Sequence, residues 1–249
     1  EWSCEDGTRT NLEFMYKTIE LAIKCGATTI NIPDTVGYSI PEEFAKTITS
    51  IKNNVPNIDK AIISAHCHND LGLAVANALS GLSAGVRQIE CTINGIGERA
   101  GNAPMDQTLV NLKLMGVINN DLTLLDEYTR MANKYIEVPL PRNYPIFGTD
   151  AFETGTGVHA SAVIKAMRKG DDWLADRVYS GVPAGDFGLK QVIRIGHMAG
   201  RSNIIWWLEQ NGYEVTDELV AHMFEVAKNQ SRNMTDAEIE SEVAQYLNS

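Results

Sequence analysis

Short β-branched segments alternate with amphipathic segments over the first 116 residues of the chain. The short segments have the apolar, branched composition of buried strands and are residues 27–32, 60–65 and 86–94. Helical patterns lie before, between and after them, at about residues 11–25, 41–53, 70–84 and 104–115. Strand starts recur at intervals of roughly 25 to 35 residues, the length of a βα unit, and this spacing predicts parallel strands. Residues 2–4 have the composition of the end of an earlier strand.

The strand pattern stops after Met115. A helical pattern at residues 124–135 is followed by a proline-rich stretch, and the remaining helical patterns are residues 158–169, 203–211, 217–229 and 236–247. We therefore predict an α/β fold, a partial (βα)8 TIM barrel of about the last four βα units followed by a helical C-terminal subdomain. The predicted domains are residues 1–137 for the barrel half, 138–157 for a linker and 158–249 for the helical subdomain.

A half-barrel leaves the edges of its sheet open unless something packs against them. Two copies of the chain can cover each other's edges, so we expect a homodimer.

Composition excludes several function classes. The net charge of −11 and the pI near 4.9 argue against a nucleic-acid-binding protein, which needs clustered Lys and Arg. No apolar run approaches the roughly 18 residues of a membrane helix, and no signal-peptide pattern is present, so we expect no membrane association. The four cysteines lack CxxC spacing and are typical of free thiols in a reducing compartment. These features predict a cytoplasmic protein.

The most specific local pattern is SAHCHND at residues 64–70, at the end of a predicted strand. Side chains alternate across a strand, so His66 and His68 point to the same side and can share one metal ion. The carboxyl end of a parallel strand is also where barrels carry their active sites. The alternative is that one of the two histidines is a surface or packing residue.

A second pattern, NGIGERAGN at residues 94–102, follows the next predicted strand. Its glycines allow tight turns, and Glu98 and Arg99 place opposite charges in one loop. Asn102 would add a carbonyl oxygen to two imidazole nitrogens, a mixed set that suits a catalytic divalent ion. The alternative is a plain glycine-rich turn before a helix. The spacing differs from that of a GxGxxG nucleotide-binding motif.

Two further polar clusters follow predicted strands. NIPDTVGY at residues 31–38 places Asp34 and Thr35 at a strand end, and WSCED at residues 2–6 offers Glu5 at the same level. Asp34 can be a simple turn residue, while Thr35 can donate a hydrogen bond to a substrate carboxylate. Four polar clusters at four successive strand ends together favour an active site over four independent structural roles.

In the helical region, GTGVHASAV at residues 155–163 puts His159 near a helix start. The positive end of a helix dipole favours the neutral imidazole, which can act as a base near pH 7. A lone helix histidine is more often structural, so the sequence pattern leaves both roles open.

The segments WSCEDGTRT, NIPDTVGY, SAHCHNDLGLAVAN, GIGERAGN and AFETGTGVHASAV, in this order, resemble the α-isopropylmalate synthases. That family belongs to a group of metal-dependent barrels with the homocitrate and citramalate synthases and 3-hydroxy-3-methylglutaryl-CoA lyase. The resemblance runs from residue 1 to about residue 210, and GIGERAGN favours the condensing synthases over the lyases.

The resemblance implies a metal site and a substrate pocket. His66, His68 and Asn102 would bind a divalent ion (Zn²⁺, Mn²⁺ or Mg²⁺). Thr35 would contact the carboxylate of a 2-keto acid, and Glu5 would line the substrate pocket. A catalytic role is also implied for Glu98, in the polar network beneath the metal.

The resemblance further implies an acyltransferase of leucine biosynthesis, which condenses acetyl-CoA with 2-ketoisovalerate to give 2-isopropylmalate. His159, helped by Tyr179, would deprotonate acetyl-CoA. Relatives also carry a D-x-x-L-R-D-G-x-Q type segment with a metal-binding aspartate and a catalytic arginine, and this sequence contains none. We therefore expect the chain alone to be inactive. The alternatives are part of a homocitrate or citramalate synthase-like enzyme, a lyase relative, or a non-catalytic half-barrel that self-associates.

Overall fold

A computed structural model describes residues 1–248 and divides the chain into two compact units, Glu1–Asn120 and Asp121–Ser249. The first unit ends before residue 137, the predicted end of the barrel half. The predicted division into a barrel half, a linker and a helical subdomain remains a prediction.

The first unit is built on a four-stranded parallel sheet in the order β1-β2-β3-β4. The strands are β1 (Trp2–Ser3), β2 (Thr29–Asp34), β3 (Ile62–Cys67) and β4 (Gln88–Glu90). The helices that connect and follow them are α1 (Leu12–Lys24), α2 (Pro41–Asn54), α3 (Ala74–Ala84) and α4 (Met105–Leu114). The α/β class and the partial barrel are thereby confirmed, with a helix after each strand.

The two faces of this sheet carry different residues because side chains alternate along a strand. Ile30 and Ile32 of β2, with Ile63 and Ala65 of β3, are buried in the apolar core that the helices cover. The positions between them are polar, as the buried Ser64 shows. The helix-covered face therefore holds the unit together, and the opposite face is free to carry a site.

Two boundaries in the first unit were predicted wrongly. α3 begins at Ala74 rather than near residue 70, since Gly72 has a left-handed φ of 72° that a helix does not allow. The strand predicted at residues 86–94 is shorter in the structure, where it consists of β4. A 3₁₀ turn follows β4, and in this turn Asn94 has a φ of 53°.

The second unit is mainly helical, as predicted. Its helices are α5 (Leu125–Ile136), α6 (Gly157–Arg168), α7 (Asp172–Ala175), α8 (Arg201–Gln210), α9 (Asp217–Lys228) and α10 (Asp236–Leu247). A small parallel sheet of β5 (Glu153–Thr154) and β6 (Val192–Ile193) was not predicted, because two-residue strands leave no period in a sequence. No helix within residues 1–248 has both the length and the apolar character needed to cross a membrane.

Candidate metal and substrate site

Backbone pairing brings the two predicted ligand segments together. Asn102 forms an isolated antiparallel bridge with His68, and the amide of Ala103 donates to the carbonyl of Cys67 over 3.0 Å. The amide of Asn69 donates to the carbonyl of Gly101 over 2.9 Å. The loop after β4 is therefore attached to the end of β3, which places the Asn102 amide group beside the histidines.

His66 and His68 converge through their Nε2 atoms, which are 3.2 Å apart. Their rings meet edge to face, with an interplanar angle of 68°. Two imidazole nitrogens bound at about 2.0–2.1 Å to one tetrahedral ion lie roughly 3.3 Å apart, so the observed separation suits a shared ion. The same distance also suits a hydrogen bond between the two rings. His68 Nδ1 is buried and has no hydrogen-bond partner.

Asn102 completes the predicted ligand set with an amide group that can turn. Its Nδ2 lies 3.2 Å from His66 Nε2, and its Oδ1 occupies the space above Gly97 where a β-carbon would otherwise sit. A half-turn of the amide would present Oδ1 to the same point. Across residues 1–248, no group of three or more His, Cys, Asp or Glu side chains is arranged to hold a metal. His66, His68 and Asn102 instead bring two imidazoles and one amide to one point, a donor set that suits a divalent ion.

Glu90 lies on the other side of His66, with its Oε2 3.0 Å from His66 Nδ1. Burial, and the nearby Glu1 carboxyl, raise the pKa of Glu90 to about 7. Burial, followed by the charge of His68, lowers the pKa of His66 and favours the neutral imidazole that binds metals. Glu90 was missed in the sequence. It lies within a predicted strand, and alternation along a strand does not tell which face of the sheet carries the site.

Thr35 and Glu5 line a pocket of about 280 Å³ together with His66, His68 and Glu98. The Thr35 hydroxyl accepts a hydrogen bond from the amide of Asp6 over 3.1 Å, and its own proton remains available to donate. Residues from all four strand ends of the first unit therefore meet in one polar pocket.

Glu98 is at the rim of this pocket rather than beneath the histidines. Its side chain is 84% exposed and its Oε2 is 3.7 Å from Arg99 Nη1. The carboxylate that contacts His66 belongs to Glu90. The catalytic role of Glu98 remains a prediction.

Arg99 joins three of the strand-end loops. It donates from Nε and Nη2 to both carboxylate oxygens of Asp70, over 2.8 and 3.1 Å, and from Nη2 to the carbonyl of Thr35 over 2.7 Å. The guanidinium holds the pKa of Asp70 below its usual range. Arg99 has a left-handed φ of 57°, which is uncommon outside glycine. The loop after β4 is thereby linked to the loops after β2 and β3.

Asp34 is fully buried and organises the loop that carries Thr35. Its carboxylate accepts from Thr8 Oγ1 at 3.0 Å and from the amides of Tyr38 and Ser39 at 3.3 and 3.2 Å. Asn77 Nδ2 adds a weaker contact at 3.5 Å. These contacts agree with the alternative role of a turn residue, because the buried Asp34 carboxylate accepts hydrogen bonds from the amides of the loop.

In the second unit, the structure brings His159 and Tyr179 together. Their rings stack with centroids 4.1 Å apart and an interplanar angle of 24°. Both side chains are exposed to solvent. The pairing joins two residues that only the resemblance had linked.

Comparison with known proteins adds three findings. A family profile described as HMGL-like matches residues 1–133. A 2-isopropylmalate synthase of Rhodopseudomonas palustris (strain BisA53) is 40% identical over 250 residues, which cover 97% of this chain and 46% of the relative. One from Bradyrhizobium sp. (strain ORS 278) is 42% identical over 230 residues, covering 90% and 42%. The chain spans about half the length of these curated relatives. Among solved structures, a hydroxymethylglutaryl-CoA lyase from Pseudomonas aeruginosa is 18% identical, with a TM-score of 0.48 and coverage of 55% and 48%.

Proposed function

Because this chain belongs to the HMGL-like family, we propose that its site serves the metal-dependent condensation of acetyl-CoA with 2-ketoisovalerate to 2-isopropylmalate. The observation that carries the proposal is the 3.2 Å approach of two imidazole nitrogens in a pocket that Thr35 and Glu5 also line. Identity of about 40% with 2-isopropylmalate synthases over nearly the whole chain supports this keto acid.

His66, His68 and Asn102 would hold the divalent ion, which when bound supplies Lewis-acid polarisation of the keto-acid carbonyl. Thr35 would donate a hydrogen bond from its hydroxyl to the substrate carboxylate. The hydroxyl oxygen accepts a hydrogen bond from the amide of Asp6, and its proton remains available. Glu5 would line the side of the pocket that receives the substrate. Glu98, which lines the rim of the pocket, would keep the catalytic role that the family resemblance implies.

His159 and Tyr179 would act on acetyl-CoA. The imidazole would take a proton from the methyl group, and the resulting carbanion would form the new bond to the keto carbon. The carbonyl π bond would open to an alkoxide, which would take up a proton to become the product's hydroxyl group. Water would then cleave the thioester, releasing CoA and the carboxylate product. Stacking on the Tyr179 ring would fix the plane of the His159 imidazole. A fixed plane would keep the basic nitrogen of this exposed side chain pointing in one direction.

The first test is calorimetric titration of the metal-stripped chain with Zn²⁺ and Mn²⁺. We expect saturable binding of one ion per chain that is lost in the His66→Ala, His68→Ala double variant. His197→Ala removes an exposed histidine of the second unit and should leave binding unchanged. Absence of binding by a folded wild-type chain would overturn the proposal.

The keto acid is tested by a second titration, on the zinc-loaded chain. We expect 2-ketoisovalerate to bind more tightly than pyruvate or 2-ketoglutarate, and Thr35→Val to weaken binding of every 2-keto acid. Tighter binding of 2-ketoglutarate would favour the homocitrate synthase-like alternative, and tighter binding of pyruvate the citramalate synthase-like one.

The homodimer also remains a proposal, and the open edges support it, since β1 and β4 each pair with one strand in the first unit. We expect a dimeric mass by light scattering at micromolar concentration. A dimer without metal binding would favour the non-catalytic half-barrel.

A further inference from the structure

The inner face of the sheet carries polar side chains on adjacent strands. Asn31 of β2 pairs in register with Ser64 of β3, and two residues further along, His66 pairs with Glu90 of β4. Asn31 is 3% exposed, and Ser64 is fully buried. Burying polar groups in the interior of a barrel is unfavourable unless they are hydrogen-bonded, so their contacts indicate what they are for.

Glu90 restricts the proton of His66 to one nitrogen. A neutral imidazole carries a single N–H, and Glu90 Oε2 faces Nδ1 at 3.0 Å. An ionised carboxylate can only accept, so with Glu90 ionised this contact requires the proton on Nδ1. Asn102 Nδ2, 3.2 Å from Nε2, donates to the other ring nitrogen. His66 Nε2 is then left with a lone pair at the point where His68 and Asn102 converge. In that tautomer the ring is ready to bind a cation without losing a proton first.

Asn31 in turn restricts Glu90. Its Nδ2 donates to Ser3 Oγ over 3.0 Å and to Glu90 Oε2 over 3.4 Å, the same oxygen that faces His66. The opposite orientation of the amide would set its Oδ1 against the carboxylate. In the observed orientation Oδ1 is buried without a partner, so the donor contacts are kept although the acceptor is left unsatisfied.

We propose that Glu90 is a positioning residue that fixes His66 in its Nδ1–H tautomer, and that Asn31 orients Glu90 for this task. The relay runs from Ser3 through Asn31 and Glu90 to His66 within a single sheet. It rests on the proposed function only in that the ring so positioned is a proposed metal ligand.

The wild-type chain alone provides the first test, through long-range ¹H–¹⁵N correlation spectra of the metal-free protein at pH 9, where the Glu90 carboxyl is ionised. We expect His66 to show a protonated Nδ1 and an unprotonated Nε2. His197 is exposed and outside the relay, and it serves as the reference for a histidine without such a partner. A His66 ring protonated on Nε2, or an even mixture of tautomers, would overturn the proposal.

Variants then separate positioning from general stability. Glu90→Gln keeps the size of the side chain but removes its charge and can present an NH₂ group to the ring. We expect a mixture of His66 tautomers and zinc binding about 10- to 100-fold weaker, the usual loss when a partner of a metal-binding histidine is changed. Asn31→Leu should also mix the His66 tautomers and weaken zinc binding, but by less than Glu90→Gln.

Ser64→Ala is the matched control, because Ser64 is buried in the row of Asn31 and its hydroxyl has no partner. It should change neither the tautomer nor the zinc affinity. An unchanged tautomer in Glu90→Gln, or a Ser64→Ala effect as large as that of Asn31→Leu, would contradict the relay. If Glu90→Gln does not fold, the wild-type spectra and the Asn31 variant still decide.

The two proposals fail separately. A chain that shows the Nδ1–H tautomer but binds no zinc would overturn the proposed function and leave the relay standing. A chain that binds zinc with His66 in the other tautomer would overturn the relay alone.

Discussion

The two units of the chain use their interiors differently. In the described part of the chain, buried polar side chains of the second unit are Thr129 and Asn203, whereas those of the first unit are Asn31, Asp34, Ser39, Ser64, His68, Asn77, Asn102, Asp106 and Thr108. The second unit instead has a helical core formed around Ile204, Leu208 and Met223, which are all fully buried.

The hydrogen bonding of two buried asparagines shows what this difference means. Asn203 donates from Nδ2 to the carbonyls of Gly155 and Arg194, over 3.2 and 2.8 Å, and accepts from the amide of Gly200 over 3.1 Å. Its amide therefore joins β6 to the start of α8. Asn31, by contrast, keeps an unpartnered Oδ1. A fully bonded buried polar group stabilises a fold, while an unsatisfied atom calls for an explanation, which the contact to Glu90 supplies for Asn31.

The largest expected effect tests the contrast directly with two substitutions to alanine at fully buried positions. Leu208→Ala in the second unit should lower the free energy of unfolding by about 2–5 kcal/mol, because it removes apolar contacts and leaves a cavity. Ser64→Ala in the first unit removes a hydroxyl without a partner and should be neutral or stabilise by up to about 1 kcal/mol. Urea denaturation measures both.

The exposed Leu247 provides the control for the leucine, and Leu247→Ala should cost less than about 0.5 kcal/mol. If Ser64→Ala were as destabilising as Leu208→Ala, the first unit would depend on its polar interior for stability, and the contrast between the units would not hold.

A smaller effect is expected at Asp34, where the first unit does use a buried polar group for structure. Asp34→Ala leaves the amides of Tyr38 and Ser39 without their acceptor and should cost about 1–3 kcal/mol. Thr8→Val removes only one of the donors and should cost less. Chemical denaturation gives both values. Equal losses would mean that the Thr8 contact carries the whole effect.

The alternation of strands and helices in the first unit was predictable because long elements repeat a period. β2 and β3 lie within about two residues of the segments predicted from branched residues, and α9 and α10 begin at the acidic residues that follow their caps. β5 and β6 were not predictable, since two residues carry no period and their pairing spans distant parts of the sequence.

The candidate site was predictable only as far as it follows strand ends. His66, His68 and Thr35 were singled out because each directly ends or follows a strand, and all three line one pocket. Glu90 and Asn31 lie within strands, where the sequence does not tell which face is covered by helices. Their hydrogen bonds depend on register between neighbouring strands, and register is fixed by three-dimensional packing.

A third comparison concerns two glycines in adjacent loops of the first unit. Gly37 and Gly72 both have left-handed φ values, 59° and 72°, so alanine strains the backbone at either position. A β-carbon at Gly37 would also lie 2.6 Å from Asp70 Oδ2 and 2.7 Å from its amide nitrogen, whereas none of the neighbouring atoms lies within 4 Å at Gly72. Gly37→Ala should therefore cost about 1–2 kcal/mol more than Gly72→Ala.

Hydrogen exchange provides a second measurement on the same pair. Only Gly37→Ala should displace Asp70 from Arg99 and speed amide exchange in the loop after β4. Equal effects of the two variants on stability and on exchange would mean that Asp70 leaves room for a β-carbon at Gly37.

The smallest expected effect is the acid response of the second unit, at Asp236 on the first turn of α10. The indole of Trp207, and then Arg194, lower the pKa of this carboxyl below its usual value. A lowered folded-state pKa means that the stabilisation is present above about pH 4 and is lost as the pH falls through the folded value. Asp236→Asn should therefore reduce the melting temperature at pH 7 and reduce it less at pH 3. The side chain is 57% exposed, so the effect at pH 7 should stay below about 1 kcal/mol.

Asp217→Asn is the matched control, because its carboxylate is 96% exposed and meets only Arg201 at 3.2 Å. Thermal melts at both pH values that show equal changes for the two variants would mean that the Trp207 contact does not distinguish Asp236 from an ordinary surface carboxylate.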